Sequence, residues 1–349
     1  MKQRYQLKRF LVRIRRQFRQ LQHSNSGEWA WLRSKPLPLA SLNRNLWRTA
    51  NPSLTFYTLL ALSVIIATLG LLANSSATII GAMIVAPLMG PILGVAFSMV
   101  LANRRLLYRS TLSLISGTIL SIALAILVVR IVGIETLTPE IQARVRPTLI
   151  DLGVALVAGT AGAYAKSRRD VADALPGVAI AVALVPPLGV VGIGIAVNSQ
   201  PVATGALLLF MTNLVGIIFS GALVFLMFRY GSIARAQKGL AISVAALILL
   251  AIPLGVSFQD LLVKERIRTE INQLLRRKTL TFADRDIRSL NVYRRGRELV
   301  VDLEVVARPN TITERQVELV QDFLQNALRT TLTLNVQIIP VEQFTVPGR

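Results

Sequence analysis

The sequence predicts an all-α polytopic membrane protein of about seven transmembrane helices, built as an inverted three-plus-three repeat with Pro-broken middle helices, followed by a small C-terminal α+β domain. Three observations carry this. Of 349 residues, 53% are hydrophobic and only 16% charged, and the mean hydropathy is positive, which soluble domains of this size rarely show. Seven apolar runs are long enough to cross a bilayer. Two blocks of sequence also recur at separations of 95 to 99 residues.

The net charge of +21 is unevenly spread. Residues 1–50 carry twelve Lys and Arg against one acid, Glu28; residues 51–256 carry twelve against five; the rest carries fifteen against twelve and reads as ordinary soluble sequence. Three regions follow: a basic amphipathic arm (1–50), a transmembrane domain (51–256) and a soluble α+β domain (257–349). Cysteine is absent and His23 is the single histidine, which removes disulfides, thiolate nucleophiles and the usual zinc and haem ligand sets. No metal, no cofactor, no catalytic residue and no enzyme activity are expected.

In the arm, Leu7, Phe10, Leu11, Ile14, Phe18 and Leu21 fall on one helical face, and Arg13, Arg15, Arg16 and Arg19 are among the cations covering the remainder. That pattern predicts a helix lying on a membrane surface against anionic headgroups. Nucleic acid is the rival partner for so many arginines; the apolar face and the tether to a membrane domain favour lipid. A cleavable signal peptide is excluded, because the first apolar run begins some fifty residues in. Trp29, Trp31 and Trp47 are expected at headgroup level. A disordered cationic tail is the alternative for residues 23–50.

The apolar runs lie at about 53–73, 76–102, 110–134, 150–166, 174–198, 202–228 and 239–256. Basic residues follow every second run: Arg104, Arg105 and Arg109, then Lys166, Arg168 and Arg169, then Arg229, Arg235 and Lys238. Cytoplasmic loops hold the Lys and Arg excess, so the N-terminus is predicted inside and, after seven crossings, the C-terminal domain outside. Within the runs, "GTILSIALAIL" from Gly117 matches "GIIFSGALVFL" from Gly216, and "PILGVAFSMVLAN" (91–103) matches "PLGVVGIGIAVN" (187–198). Runs one to three (51–134) therefore correspond to runs four to six (150–228), with the seventh helix (239–256) unmatched. Three crossings per unit make the repeat inverted.

The middle helix of each unit carries a break: Pro87, Gly90 and Pro91 in the first, Pro186, Pro187 and Gly189 in the second. A proline inside a helix costs about 3 kcal/mol or more. In hydrocarbon such backbone survives only when buried in protein or hydrated in a cavity. Paired breaks predict two half-helix ends facing one interior space, whose partial positive charge favours an anion. Plain kinks and close packing are the competing explanation. The polar groups Asn74, Ser75 and Ser76 enter the second run, and Asn213 lies deep in the sixth, either as an interhelical hydrogen bond or as cavity lining. Asp151 opens the fourth run, as a helix cap or as a coupling carboxylate. "GTAGAYAKS" (159–167) fails the phosphate-loop pattern, since Ala165 stands where glycine is required.

Beyond the membrane, "VKERIRTEINQLLRR" predicts an amphipathic helix, residues 286–306 a hairpin turning at Arg295 and Gly296, and "TITERQVELVQDFLQNALRT" a helix opened by a capping box. "LTLNVQIIPVEQF" adds a last strand, giving the order α, β, β, α, β with helices on one face. Packing between subunits would enlarge so small a core, so a homo-oligomer is expected.

With "NSSATIIGAMIVAPLMGPI", "AGAYA" and "PGVAIAVALVPPLGVVG" in view, residues 50–230 resemble the prokaryotic family catalogued as domain of unknown function 389, the "uncharacterised hydrophobic domain" proteins. The resemblance implies a multi-pass inner-membrane protein of bacteria or archaea, and carries over no substrate and no site residue. The expected function is passive passage of a small solute or ion, an anion before a cation, between the two broken helices. The alternative is a non-conducting scaffold or sensor whose C-terminal domain mediates assembly or binding.

Overall fold

A computed structural model describes residues 36–133, 136–168, 184–278, 286–295, 298–307, 313–328 and 330–340. The arm with Arg13, Arg15, Arg16, Arg19, Trp29 and Trp31, residues 174–183 of the fifth apolar run, and the turn at Gly296 lie outside the described residues. The chain divides into two compact units, Met1–Leu254 and Gly255–Arg349.

The first unit begins with α1 (Leu39–Thr49), whose Leu42 and Leu46 are fully buried. Then follow α2 (Leu54–Leu72), α3 (Ser76–Val85), α4 (Met89–Leu101) and α5 (Arg104–Val132). The one-turn α6 (Pro139–Gln142) precedes α7 (Leu149–Lys166), α8 (Val185–Ala196) and α9 (Gln200–Met227). Helix α10 (Ile233–Lys278) starts in this unit and continues into the second.

Five helices among the described residues, α2, α5, α7, α9 and α10, are long and apolar enough to cross a membrane; counting α3 and α4 as one span bent by 54° gives six. The fifth run is described only over the twelve-residue α8, so the expected seventh crossing lies partly outside the described residues. Two boundaries also differ from expectation. Arg104, Arg105 and Arg109 belong to the first turns of α5, where Asn103 accepts from the Leu106 amide as N-cap, and not to a loop. The seventh run is the apolar opening of a 46-residue helix, because hydropathy falls after Val256 while nothing there breaks the helix.

Tight left-handed corners join the helices. Asn74, Ala102, Asn198 and Arg229 all have positive φ, between 53° and 61°. After each, the next amide reaches back to the preceding helix: Ser75 to Gly70 O, Asn103 to Ser98 O, Ser199 to Gly194 O and Tyr230 to Phe225 O. This Schellman pattern satisfies end carbonyls that hydrocarbon would leave bare.

These corners define two ends. At the Asn74 end, Asn74 Oδ1 accepts from the Glu140 amide and Thr138 donates to Leu71 O, while Val145 lies against Gly205 at the start of α9. At the Asn103 end, Arg109 donates to Asn51 Oδ1 and Ser113 to Ala50 O; Leu37 joins Ser167 O, and Tyr230 donates its hydroxyl to Leu37 O. Hence α2 and α5 run towards the Asn74 end, and α7 and α9 run away from it.

The second unit is a three-stranded sheet with helices. Strands β1 (Asp286–Arg295) and β2 (Glu298–Ala307) pair antiparallel, and β3 (Leu332–Pro340) pairs parallel to β2, in the order β1-β2-β3. Helix α11 (Glu314–Leu328) supplies the crossover, opened by the Thr313 amide donating to Gln316 Oε1. Leu299, Val301, Leu303 and Val305 alternate inward and meet Val320 and Leu324 of α11 with Ile271 and Leu275 of α10. This is the expected element order, with the register set by period-two burial.

Candidate functional site

The prolines of the two breaks do not interrupt helix interiors. Ala86 takes an extended conformation (φ −66°, ψ 123°), as a residue before proline must, and this ends α3. Helix α4 then restarts at Met89, so Gly90 and Pro91 are its second and third residues. In α8, Pro186 and Pro187 hold the same positions. First-turn amides have no intrahelical acceptor, so proline there removes no hydrogen bond. The expected interior penalty of about 3 kcal/mol therefore does not arise.

Nor, among the described residues, do the breaks face one shared polar space. Gly90 packs on Thr49 at the Asn103 end, whereas Gly189 packs on Leu71 and Thr68 towards the Asn74 end. Between them lies apolar packing: Leu88 and Ile92 of the first break and Leu184, Val185 and Leu188 of the second belong to one hydrophobic cluster. Pro186, Pro187 and Gly189 are buried with it. Proline at two successive first-turn positions also leaves the Val185 amide as the single donor among the first three residues of α8.

The first break does border a cavity, of about 980 Å³. One wall is the polar face of α1, with Ser41, Arg44, Asn45 and Arg48 at helical spacing. Pro87, Met89 and Gly90 form another; Asn51, Ser53, Thr55, Phe56 and Leu59 lead into α2, and Lys166 ends α7. No carboxylate among the described residues lines it. The half-helix ends oppose each other: α4 presents its N-terminus, about half a positive charge, and Thr49 O of the α1 C-terminus lies 2.5 Å from where a Gly90 Cβ would stand. Full side-chain charges therefore set the potential. Gly90 is required here, since any Cβ would meet backbone.

The other sequence-predicted positions are dispersed. Ser75 caps α3 by accepting from the Thr78 amide, and Ser76 donates to Glu140, which also pairs with Arg144 at 2.7 Å. The Ser76 hydroxyl and then Arg144 hold the Glu140 carboxyl below the usual carboxylate range, against a smaller opposing effect of burial. Asp151 is the third residue of α7 and closes a capping box, with Oδ2 accepting from the Thr148 amide at 2.7 Å. Asn213 is buried within α9 and does not line the cavity. Trp47 lies under Arg109, whose guanidinium stands 5.1 Å from its ring centroid.

Sequence reasoning missed α1 as a wall of the site. The signal was present, since polar residues at 41, 44, 45 and 48 alternate with Leu42 and Leu46 at one-turn spacing.

Residues 83–219 match the family described as a domain of unknown function, DUF389. The chain carries a DUF389 domain. The match begins in α3 and ends in α9, so the DUF389 domain supplies both breaks and Lys166, while α1 lies outside it. The chain is also 32% identical over 176 residues to an uncharacterized protein of Methanocaldococcus jannaschii, covering 50% of this chain and 55% of that one. It thus spans about half the length of the curated relative it matches.

Proposed function

We propose that this DUF389 protein is a non-enzymatic membrane protein that binds and passes a small anion, with the cavity beside the first break as its binding site. The observation that carries the reading is the pairing of Arg44 and Arg48 with Lys166 around a space that no described carboxylate lines. A concave wall lined by cations of one sign raises the local concentration of anions.

The proposed architecture is the inverted repeat, and four correspondences support it. The N-caps Asn103 and Ser199 stand 96 residues apart, as do the starts of α4 and α8 at Met89 and Val185. The left-handed residues Gly133 and Arg229 close α5 and α9 at the same spacing. Across the repeats, Ala96 meets Gly221 while Gly192 meets Ala125, each partner 96 residues from its counterpart. Equivalent helices run in opposite directions, as an odd-membered repeat requires. The Gly117–Gly216 match, at 99 residues, is slipped by three from this correspondence, close to one turn and so onto nearly the same face. An inside N-terminus, anionic lipids against the basic arm and a homo-oligomeric state complete the proposal.

Flux from proteoliposomes over a panel of anions and cations tests it. Anion efflux above protein-free vesicles is expected, and R44E/R48E should abolish it. No flux for any ion would sink passage and leave the sensor or scaffold reading, which the apolar burial of the second break favours.

A further inference from the structure

We infer that the cavity beside the first break takes a phosphate group, carried either by a small soluble phosphate ester or by a phospholipid headgroup; this rests on the anion reading above. At about 980 Å³ the space is far larger than a monatomic anion and reaches the upper range of small-molecule sites. Its donors suit a tetrahedral oxyanion. Arg44 and Arg48 are one turn apart on α1, roughly 6 Å along the axis, a spacing from which two planar forks can reach the oxygens of a single group. Both are exposed, and among the described residues neither has an ion-pair partner. Leu42 and Leu46, buried on the opposite face, fix the helix that presents them.

The facing wall adds neutral donors. The first intrahelical bond of α4 runs from the Ile92 amide to Leu88 O, so the amides of Met89 and Gly90 precede it. Ser53 Oγ accepts from the Phe56 amide, which leaves its proton to donate elsewhere, and Thr55 is a further lining hydroxyl. Attraction to several cations grows with ligand charge, so a dianion gains more here than a carboxylate or a halide.

The full chain in phosphatidylcholine nanodiscs is titrated with glycerol phosphate, acetate and chloride at equal ionic strength, reading the thermal unfolding midpoint. Parallel discs contain phosphatidic acid, or oleate at equal charge density. Glycerol phosphate, phosphatidic acid or both are expected to raise the midpoint beyond their phosphate-free controls, with at least a tenfold weaker response in R44Q/R48Q. Response to glycerol phosphate identifies a soluble ester, and response to phosphatidic acid alone a headgroup. R44K/R48K, which keeps the charge and loses the fork, should fall between. Equal protection by acetate or chloride that still needs Arg44 and Arg48 would overturn the phosphate assignment and keep the anion site. Absence of any response in a folded protein, or an unchanged one in R44Q/R48Q, would overturn both.

Discussion

Gly192 of α8 rests directly on Ala125 of α5: a Cβ added to Gly192 would collide with the alanine methyl and stand 2.9 Å from the carbonyl oxygen of Ile122. Such contact lets two backbones approach as closely as apolar helices can, which is how membrane helices gain dispersion energy. Gly192→Ala should therefore destabilise by about 1–3 kcal/mol, and adding Ala125→Gly should restore part of it. Gly153→Ala, at a site with nothing within 4 Å, is the control and should stabilise α7 by about 0.5–1 kcal/mol. Unfolding midpoints in detergent measure all three.

The break prolines give a second expectation. Because Pro187 occupies the third position of α8, Pro187→Ala restores a first-turn amide and repairs no lost hydrogen bond. Stability should change by no more than about 1 kcal/mol, well short of the roughly 3 kcal/mol of an interior proline. A large gain in midpoint would show that α8 begins earlier than Val185.

Asp151 separates capping from coupling. Its carboxylate holds the Thr148 amide and hydroxyl, so Asp151→Ala should cost about 1 kcal/mol as a lost cap and leave flux per folded molecule unchanged. A selective loss of flux with unaltered stability would make it part of the transport path.

Glu140 predicts acid lability at the Asn74 end. Its carboxyl is held below the ordinary value by Ser76 and Arg144, so the linked stability is fully present above the unfolded value and is lost as pH falls through the folded one. Acid should therefore loosen α6 from the Ser76 corner. Glu140→Gln should flatten the pH dependence of the midpoint below about pH 5, checked by melting from pH 7 to 3.

The absence of cysteine makes sidedness directly measurable. In right-side-out vesicles an impermeant thiol reagent should label Asn74→Cys and spare Arg235→Cys. The reverse pattern would invert the proposed orientation.

How much of this was legible can be judged from particular residues. Hydropathy located α2, α7 and α9 closely, because lipid-facing residues such as Leu62, Val157 and Leu223 must be apolar all along a span. It misplaced the start of α5, because arginine tolerates the first turns of a helix whose charge reaches the interface. Composition marked the breaks but not their phase: Pro91 and Pro187 read as interior until Met89 and Val185 are seen to start new helices. The cavity was out of reach for a different reason. It needs α1 to bring Arg44 and Arg48 beside Gly90, a tertiary contact that depends on a glycine facing Thr49, and no local pattern encodes that approach.

The two-residue corners at Ala102–Asn103 and Asn198–Ser199, each tied back to the helix before it, hold no spare chain. Pulling α4 away from α5, or α8 away from α9, would first have to unwind the helix ends themselves. Relative motion among these four helices is thus restricted to sliding or tilting one whole hairpin against the other.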